Sequence, residues 1–196
     1  FFRGFPKRKI LPYWIAQVIG GFIGASLVLQ LYHPVIDAYN AAHGLTRATG
    51  GAAGVFFTHP GEHITPIHAF WDEVILTGLL LLGIFAITDE FNDVAPRANS
   101  SALMIGLLVA TIGASAGYLE AWALNPARDF GPRLLAWLAG YDQAAFPSPE
   151  NYWWVPIAAP LLGGTLGAGL YQIAVKPYLP SRSKSGAPGD TDMPVK

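Results

Sequence analysis

Residues 124–138 read LNPARDFGPRLLAWL. Asn125 is a favourable helix N-cap, and Pro126 suits the first helical position, where its missing N–H would have found no partner. A helix therefore opens at residue 125, carrying Arg128, Asp129 and Arg133 against a short apolar run. At about 14 residues, or about 21 Å at 1.5 Å per residue, it crosses only part of an apolar bilayer core about 30 Å thick. Two placements are open on this basis. The stretch is an amphipathic helix on a surface, or a re-entrant half-helix that dips into a membrane screened by protein.

The rest of the chain makes a membrane the setting. Of 196 residues, 52% are hydrophobic and 13% are charged, with mean hydropathy +0.36. Soluble domains carry about 25% charged residues. The net charge of -1 gives nucleic acid no footing, and the absence of cysteine excludes disulfides, thiolate metal sites and cysteine nucleophiles. Four segments approach the roughly 20 apolar residues a spanning helix needs, at 11–32, 67–88, 100–120 and 152–175. All twelve lysines and arginines fall outside them. With four crossings, nine of the twelve lie on the cytoplasmic side and three outside, as the positive-inside rule prefers, and both ends of the chain are cytoplasmic. A fifth crossing at 125–139 would carry the cations of the C-terminal tail outside, so the stretch is expected not to span.

Residues 1–176 form the membrane domain in this reading, and the Pro/Ser/Gly-rich segment 177–196 a disordered cytoplasmic tail. All five histidines lie in 33–68, a region read as a long outer loop. His59, Glu62, His63 and His68 hint at a metal site, but Pro60 and Gly61 spoil helical presentation, and a solvated loop with no bound metal is expected. No cofactor is called for.

AQVIGGFIGA (16–25) aligns with APLLGGTLGA (159–168), matching Ala16, Gly20, Gly21, Gly24 and Ala25 with Ala159, Gly163, Gly164, Gly167 and Ala168. The first span runs outward and the fourth inward, so the repeat is inverted, an architecture that places solute sites near the bilayer midplane on broken helices. Because LNPARDFGP precedes the second copy, a counterpart is expected ahead of residue 1. Roughly the first third of the whole protein is then missing from this sequence.

The half-helix also implies a chemistry. Its free N–H groups and positive dipole end face whatever lies ahead of Asn125. Residues 117–124 should run extended, with carbonyls available as acceptors where they line a wet cavity. An amide donor on Asn125, a cation on Arg128 and carbonyls opposite suit a neutral hydroxylated solute, while positive potential repels cations. Glu73, near the start of the second span, either takes donors from the extended segment or is interfacial and solvated like Asp72.

These residues resemble the major intrinsic protein family, the aquaporins and glycerol facilitators. Asn125-Pro126-Ala127 followed by Arg128 looks like the second of the family's two signature motifs, and the resemblance extends to about residue 177. It implies an all-α, aquaporin-like inverted-repeat bundle, here four transmembrane helices plus one half-helix at 125–138. It further implies a homotetramer in the plasma or bacterial inner membrane, in contact with lipid. Asp129, Arg133 and the Pro156-Ile157 pair resemble the glycerol-conducting branch. Gly113 falls where strict water channels place histidine, which implies a wider constriction. Trp122 falls at the aromatic filter position, beside Arg128 and the carbonyls of Trp122, Ala123 and Leu124. Glu73 matches the family's buried glutamate that braces the extended segment. Glu120, where a small polar residue is usual, is expected near the outer mouth, attracting cations or pairing with Arg128. The function implied is a passive channel for glycerol, other small uncharged solutes and water, excluding ions and protons, and not an enzyme. A water-selective channel, a coupled transporter of small polyols and a metal-dependent membrane enzyme are the competing readings.

Overall fold

A computed structural model describes residues 2–96 and 99–180. Six helices follow in order: α1 (Ile10–Ala42), α2 (Pro66–Ile87), α3 (Ser101–Ala116), α4 (Pro126–Ala136), α5 (Asp142–Ala145) and α6 (Val155–Ala174). In space α4 packs between α1 and α6, α2 lies along α6, and α3 leans on α2.

Local chemistry sets the helix ends. Thr65 caps α2 by accepting the His68 N–H, with Pro66 in the first helical position. Asn125 caps α4 the same way, its Oδ1 accepting the N–H groups of Ala127 and Arg128. The first helix is longer than expected, and residues 33–42 are helix rather than loop. Pro34 removes the N–H that would bond Gln30, but His33 Nδ1 lies 3.1 Å from the Gln30 carbonyl oxygen and helps the helix continue. It ends where the Leu45 N–H turns back to the Asn40 carbonyl at 2.8 Å.

Three helical stretches are long and apolar enough to cross a membrane, within Lys7–Ala42, Pro66–Ile87 and Pro149–Tyr178. The third expected span, 100–120, is shorter as a helix. It stops at Ala116: beyond the Gly117 cap the Leu119 N–H bonds only three residues back, to the Ala116 carbonyl, and Ala121 turns left-handed (φ 70°), which begins the non-helical approach to α4. Its 16 residues cover about 24 Å at 1.5 Å each. Of the segment read as a tail, Pro177 and Tyr178 belong to a single 3-10 turn, Lys176–Tyr178, and residues 181–196 lie outside the described residues.

The second copy of the repeat shows what its small residues do. A Cβ on Gly163 would strike the Val74 carbonyl, and one on Gly167 the Gly78 carbonyl. The α2–α6 contact is therefore backbone on backbone, the close approach that small-xxx-small spacing allows. The half-helix is seated on α1 likewise. A Cβ on Gly131 would come within 2.5 Å of the Val18 carbonyl oxygen, and one on Gly21 within 2.8 Å of that of Ala127. Gly20 and Gly24, the counterparts of Gly163 and Gly167, have no such neighbour within 4 Å among the described residues.

Candidate functional site

The site begins where α3 stops. Ala121 (φ 70°), Trp122 (φ 41°) and Leu124 (φ 55°) are all left-handed. Left-handed backbone costs each L-residue about 1–2 kcal/mol, so this conformation persists only where its surroundings impose it. Two carboxylates do so. Glu73 is fully buried, and its Oε1 accepts the Leu124 N–H at 2.5 Å and the Thr77 hydroxyl at 2.8 Å. Glu120 is also buried, and its Oε1 accepts the Ala123 N–H at 3.3 Å. The Ala123 carbonyl accepts the Asn125 N–H at 2.6 Å, which leaves that oxygen one lone pair for a solute.

Trp122 lies with its indole on the glycine stripe of α3. A Cβ on Gly113 would sit 2.7 Å from Trp122 Cε2, and one on Gly117 would overlap the ring. The space that Gly113 leaves is therefore taken by the indole, whose other side is part-exposed at 37%. Asn125 spends its Oδ1 on the helix cap, which leaves its side-chain amide as a donor. It lines a cavity of about 260 Å³ with Pro126, Ala127 and Phe130 of α4, Trp14, Gln17 and Val18 of α1, and Ile157 and Leu161 of α6. The polar side chains there are Asn125 and Gln17, set in otherwise apolar walls. Arg128 is exposed, and among the described residues its guanidinium has no hydrogen bond or ion pair. It is a cation held in place by the half-helix backbone and left unneutralised.

Behind this face runs a buried polar network. Asp129 and Arg133, one helical turn apart, are both inaccessible, with Arg133 Nε 2.7 Å from Asp129 Oδ1. Asp129 also accepts the Thr58 N–H and hydroxyl, each at 2.8 Å. Arg133 reaches the carbonyls of Thr58 and Ala145 and the Ser148 hydroxyl, and stacks 4.3 Å from the Phe57 ring centroid. With a second bond to Asp129, from Nη2 to Oδ2 at 3.1 Å, all five guanidinium donors are used. Thr58 Oγ1 lies 3.1 Å from the Tyr152 hydroxyl, which donates to Glu120 Oε2 at 2.5 Å. Two hydrogen-bonded sets result, one tying the outer loop to the half-helix through Thr58, Asp129 and Arg133, the other tying the start of α6 to the segment 120–124 through Tyr152 and Glu120, and they touch at the Thr58 and Tyr152 hydroxyls.

The structure brings Gly113 against Trp122, and Glu73 against Leu124, while Asn125 and Arg128 sit on the first turn of the half-helix. Glu120 corrects an expectation. It is neither at an open mouth nor paired with Arg128, because Tyr152 and the Ala123 amide hold it inside. Thr58, Tyr152, Ser148 and Gln17 carry no local motif that marks them as site residues in the sequence. The i,i+4 spacing of Asp129 and Arg133 was the one available sign of the network. The loop histidines do not converge. His68 Nδ1 meets the Thr65 hydroxyl, His59 Nδ1 meets the Pro60 carbonyl, and His63 is exposed beside Glu62.

Comparison with known proteins agrees with this geometry. Residues 1–171 match the family described as Major intrinsic protein. The chain is 41% identical over 184 residues to the glycerol uptake facilitator protein of Escherichia coli (strain K12), covering 91% of this chain and 65% of that protein. It is 42% identical over 184 residues to the propanediol uptake facilitator of Citrobacter freundii, covering 91% of this chain and 68% of the relative. The X-ray structure of the aquaglyceroporin from Plasmodium falciparum superposes with a TM-score of 0.78 at 32% identity, over 90% of this chain and 68% of that one. The chain therefore spans about two thirds of the length of these relatives, has the aquaporin fold, and belongs to the major intrinsic protein family.

Proposed function

We propose that the protein is a passive transmembrane channel for glycerol and other small uncharged solutes, with water also passing and ions and protons excluded. The observation that carries this reading is the half-helix start. Asn125, with its side-chain amide free to donate, lines the 260 Å³ cavity, Arg128 follows it on the first turn of the half-helix without a side-chain partner among the described residues, and Trp122, three residues before Asn125, has an exposed apolar ring. A polyol has a carbon side for the indole and hydroxyls for the amide, the guanidinium and the free lone pair of Ala123. A hydrated cation meets the positive helix end and Arg128 instead. The printed names of the relatives, facilitators of glycerol and propanediol uptake, agree with a small polyol.

In this reading α1, α2, α3 and α6 cross the membrane and α4 re-enters from the outer side. Both ends of the chain are cytoplasmic, and four copies assemble as the family resemblance implies. A coupled transporter would need an intramembrane acid free to carry its ion. Glu73 is committed to Leu124 and Thr77, which speaks for a passive route.

The test is counterflow in proteoliposomes of the full-length protein. Labelled glycerol should equilibrate down its gradient whatever ion gradient is imposed. Accumulation driven by a proton or sodium gradient would overturn the channel and favour the coupled transporter.

A further inference from the structure

The buried carboxyls behind the filter have one hydrogen-bond donor too few. Glu120 accepts at both oxygens, from the Ala123 N–H and the Tyr152 hydroxyl. Glu73 accepts two bonds at Oε1, and its Oε2 is buried with no donor facing it among the described residues. Glu73 and Glu120 accept from consecutive amides, those of Leu124 and Ala123, which makes their carboxyls neighbours. Two carboxylates cannot bond each other, whereas a carboxylic acid and a carboxylate can. The cation of the neighbourhood, Arg133, is spent on Asp129.

We propose that Glu73 carries a proton on Oε2 and donates it to Glu120, and that this acid–carboxylate pair makes Glu120 a positioning residue of the pore. The pair holds the Ala123 and Leu124 amides in one hydrogen-bonded unit, and Tyr152 anchors that unit to the start of α6. It fixes the left-handed backbone of 121–124 and with it the carbonyls and indole that face the solute. Without the proton, two adjacent buried carboxylates would repel, and Glu120 would withdraw from Ala123. The positioning part rests on the channel reading above; the shared proton does not.

The experiment uses the full-length protein with two readouts. Infrared spectra at neutral pH should show a carboxylic-acid C=O band that disappears in Glu73→Gln and persists in Asp72→Asn. No such band in the unmodified protein, or a band that survives Glu73→Gln, would overturn the shared proton. In proteoliposomes, Glu120→Ala should lose the preference for glycerol over water, and Glu120→Gln, which keeps an acceptor for the Ala123 amide, should restore part of it. An unchanged ratio in Glu120→Ala would overturn the positioning role. If no variant passes glycerol and neither does the unmodified protein, the channel reading fails, and the infrared result still judges the pair.

Discussion

Arg133 and Arg128 sit five residues apart on one short helix and have opposite fates. Arg133 is inaccessible with every donor used, whereas Arg128 is exposed and has no side-chain partner among the described residues. Asp129→Asn should therefore cost about 3–5 kcal/mol, because it strands a buried guanidinium. Thermal unfolding in detergent would show it as a large fall in midpoint, and a midpoint within a degree or so of the parent would refute the buried pair. Arg128→Ala should leave the midpoint nearly unchanged and raise proton or cation leak through proteoliposomes. Leak at the parent level would place Arg128 outside the conducting path. The sequence displays Asp129 and Arg133 as a helical i,i+4 pair, yet hides their partners. Thr58 is 71 residues from Asp129 and Tyr152 is 94 from Thr58, so only the folded chain brings them together.

At the scale of elements, helix existence was legible and helix ends less so. Apolar runs and the Asn125-Pro126 start place α2, α4 and α6 close to their expected positions. The extension of α1 past Pro34 was hidden, because proline ordinarily breaks a helix and the support from the His33 ring is a matter of geometry. Trp122 on Gly113 was hidden too, since residues nine apart on either side of a helix end have no fixed relation in sequence. That contact makes the two positions one unit. Gly113→His alone should collide with the indole, and Gly113→His with Trp122→Cys should lose glycerol permeability more than water permeability, measured by light scattering. Equal losses would refute the filter assignment. The α2–α6 contact gives a further expectation. Gly167→Ala pushes a methyl into the Gly78 carbonyl and should destabilise by about 1–3 kcal/mol or more, as overpacking does. Gly164→Ala, whose Cβ would meet Leu81 at an ordinary 3.4 Å, should be tolerated. Similar unfolding midpoints for the two would contradict the packing.

For the whole molecule, charge placement and the glycine repeat pointed to the architecture before any contact was known. Twelve cations outside the apolar runs, a stretch too short to span, and two matched ten-residue segments are global patterns visible in one sequence. The structure adds an asymmetry. Gly163 and Gly167 are pressed on α2, while Gly20 and Gly24 meet nothing within 4 Å among the described residues. In α1 only Ala25, Ile36 and Asn40 are buried, although the helix is as apolar as its counterparts. The filter and half-helix nonetheless share one scaffold: Glu73 and Glu120 hold the Leu124 and Ala123 amides, Tyr152 ties Glu120 to the start of α6, and its hydroxyl touches Thr58, which is bonded to Asp129 and Arg133. Under the channel reading proposed above, that scaffold is the physical basis for selective, passive polyol flow. The measurement that bears on it most directly is reswelling of proteoliposomes of the full-length protein after a hyperosmotic glycerol shock. Reswelling well above that of protein-free vesicles, with proton conductance at the protein-free level, is the predicted result; reswelling no faster than protein-free vesicles would contradict it.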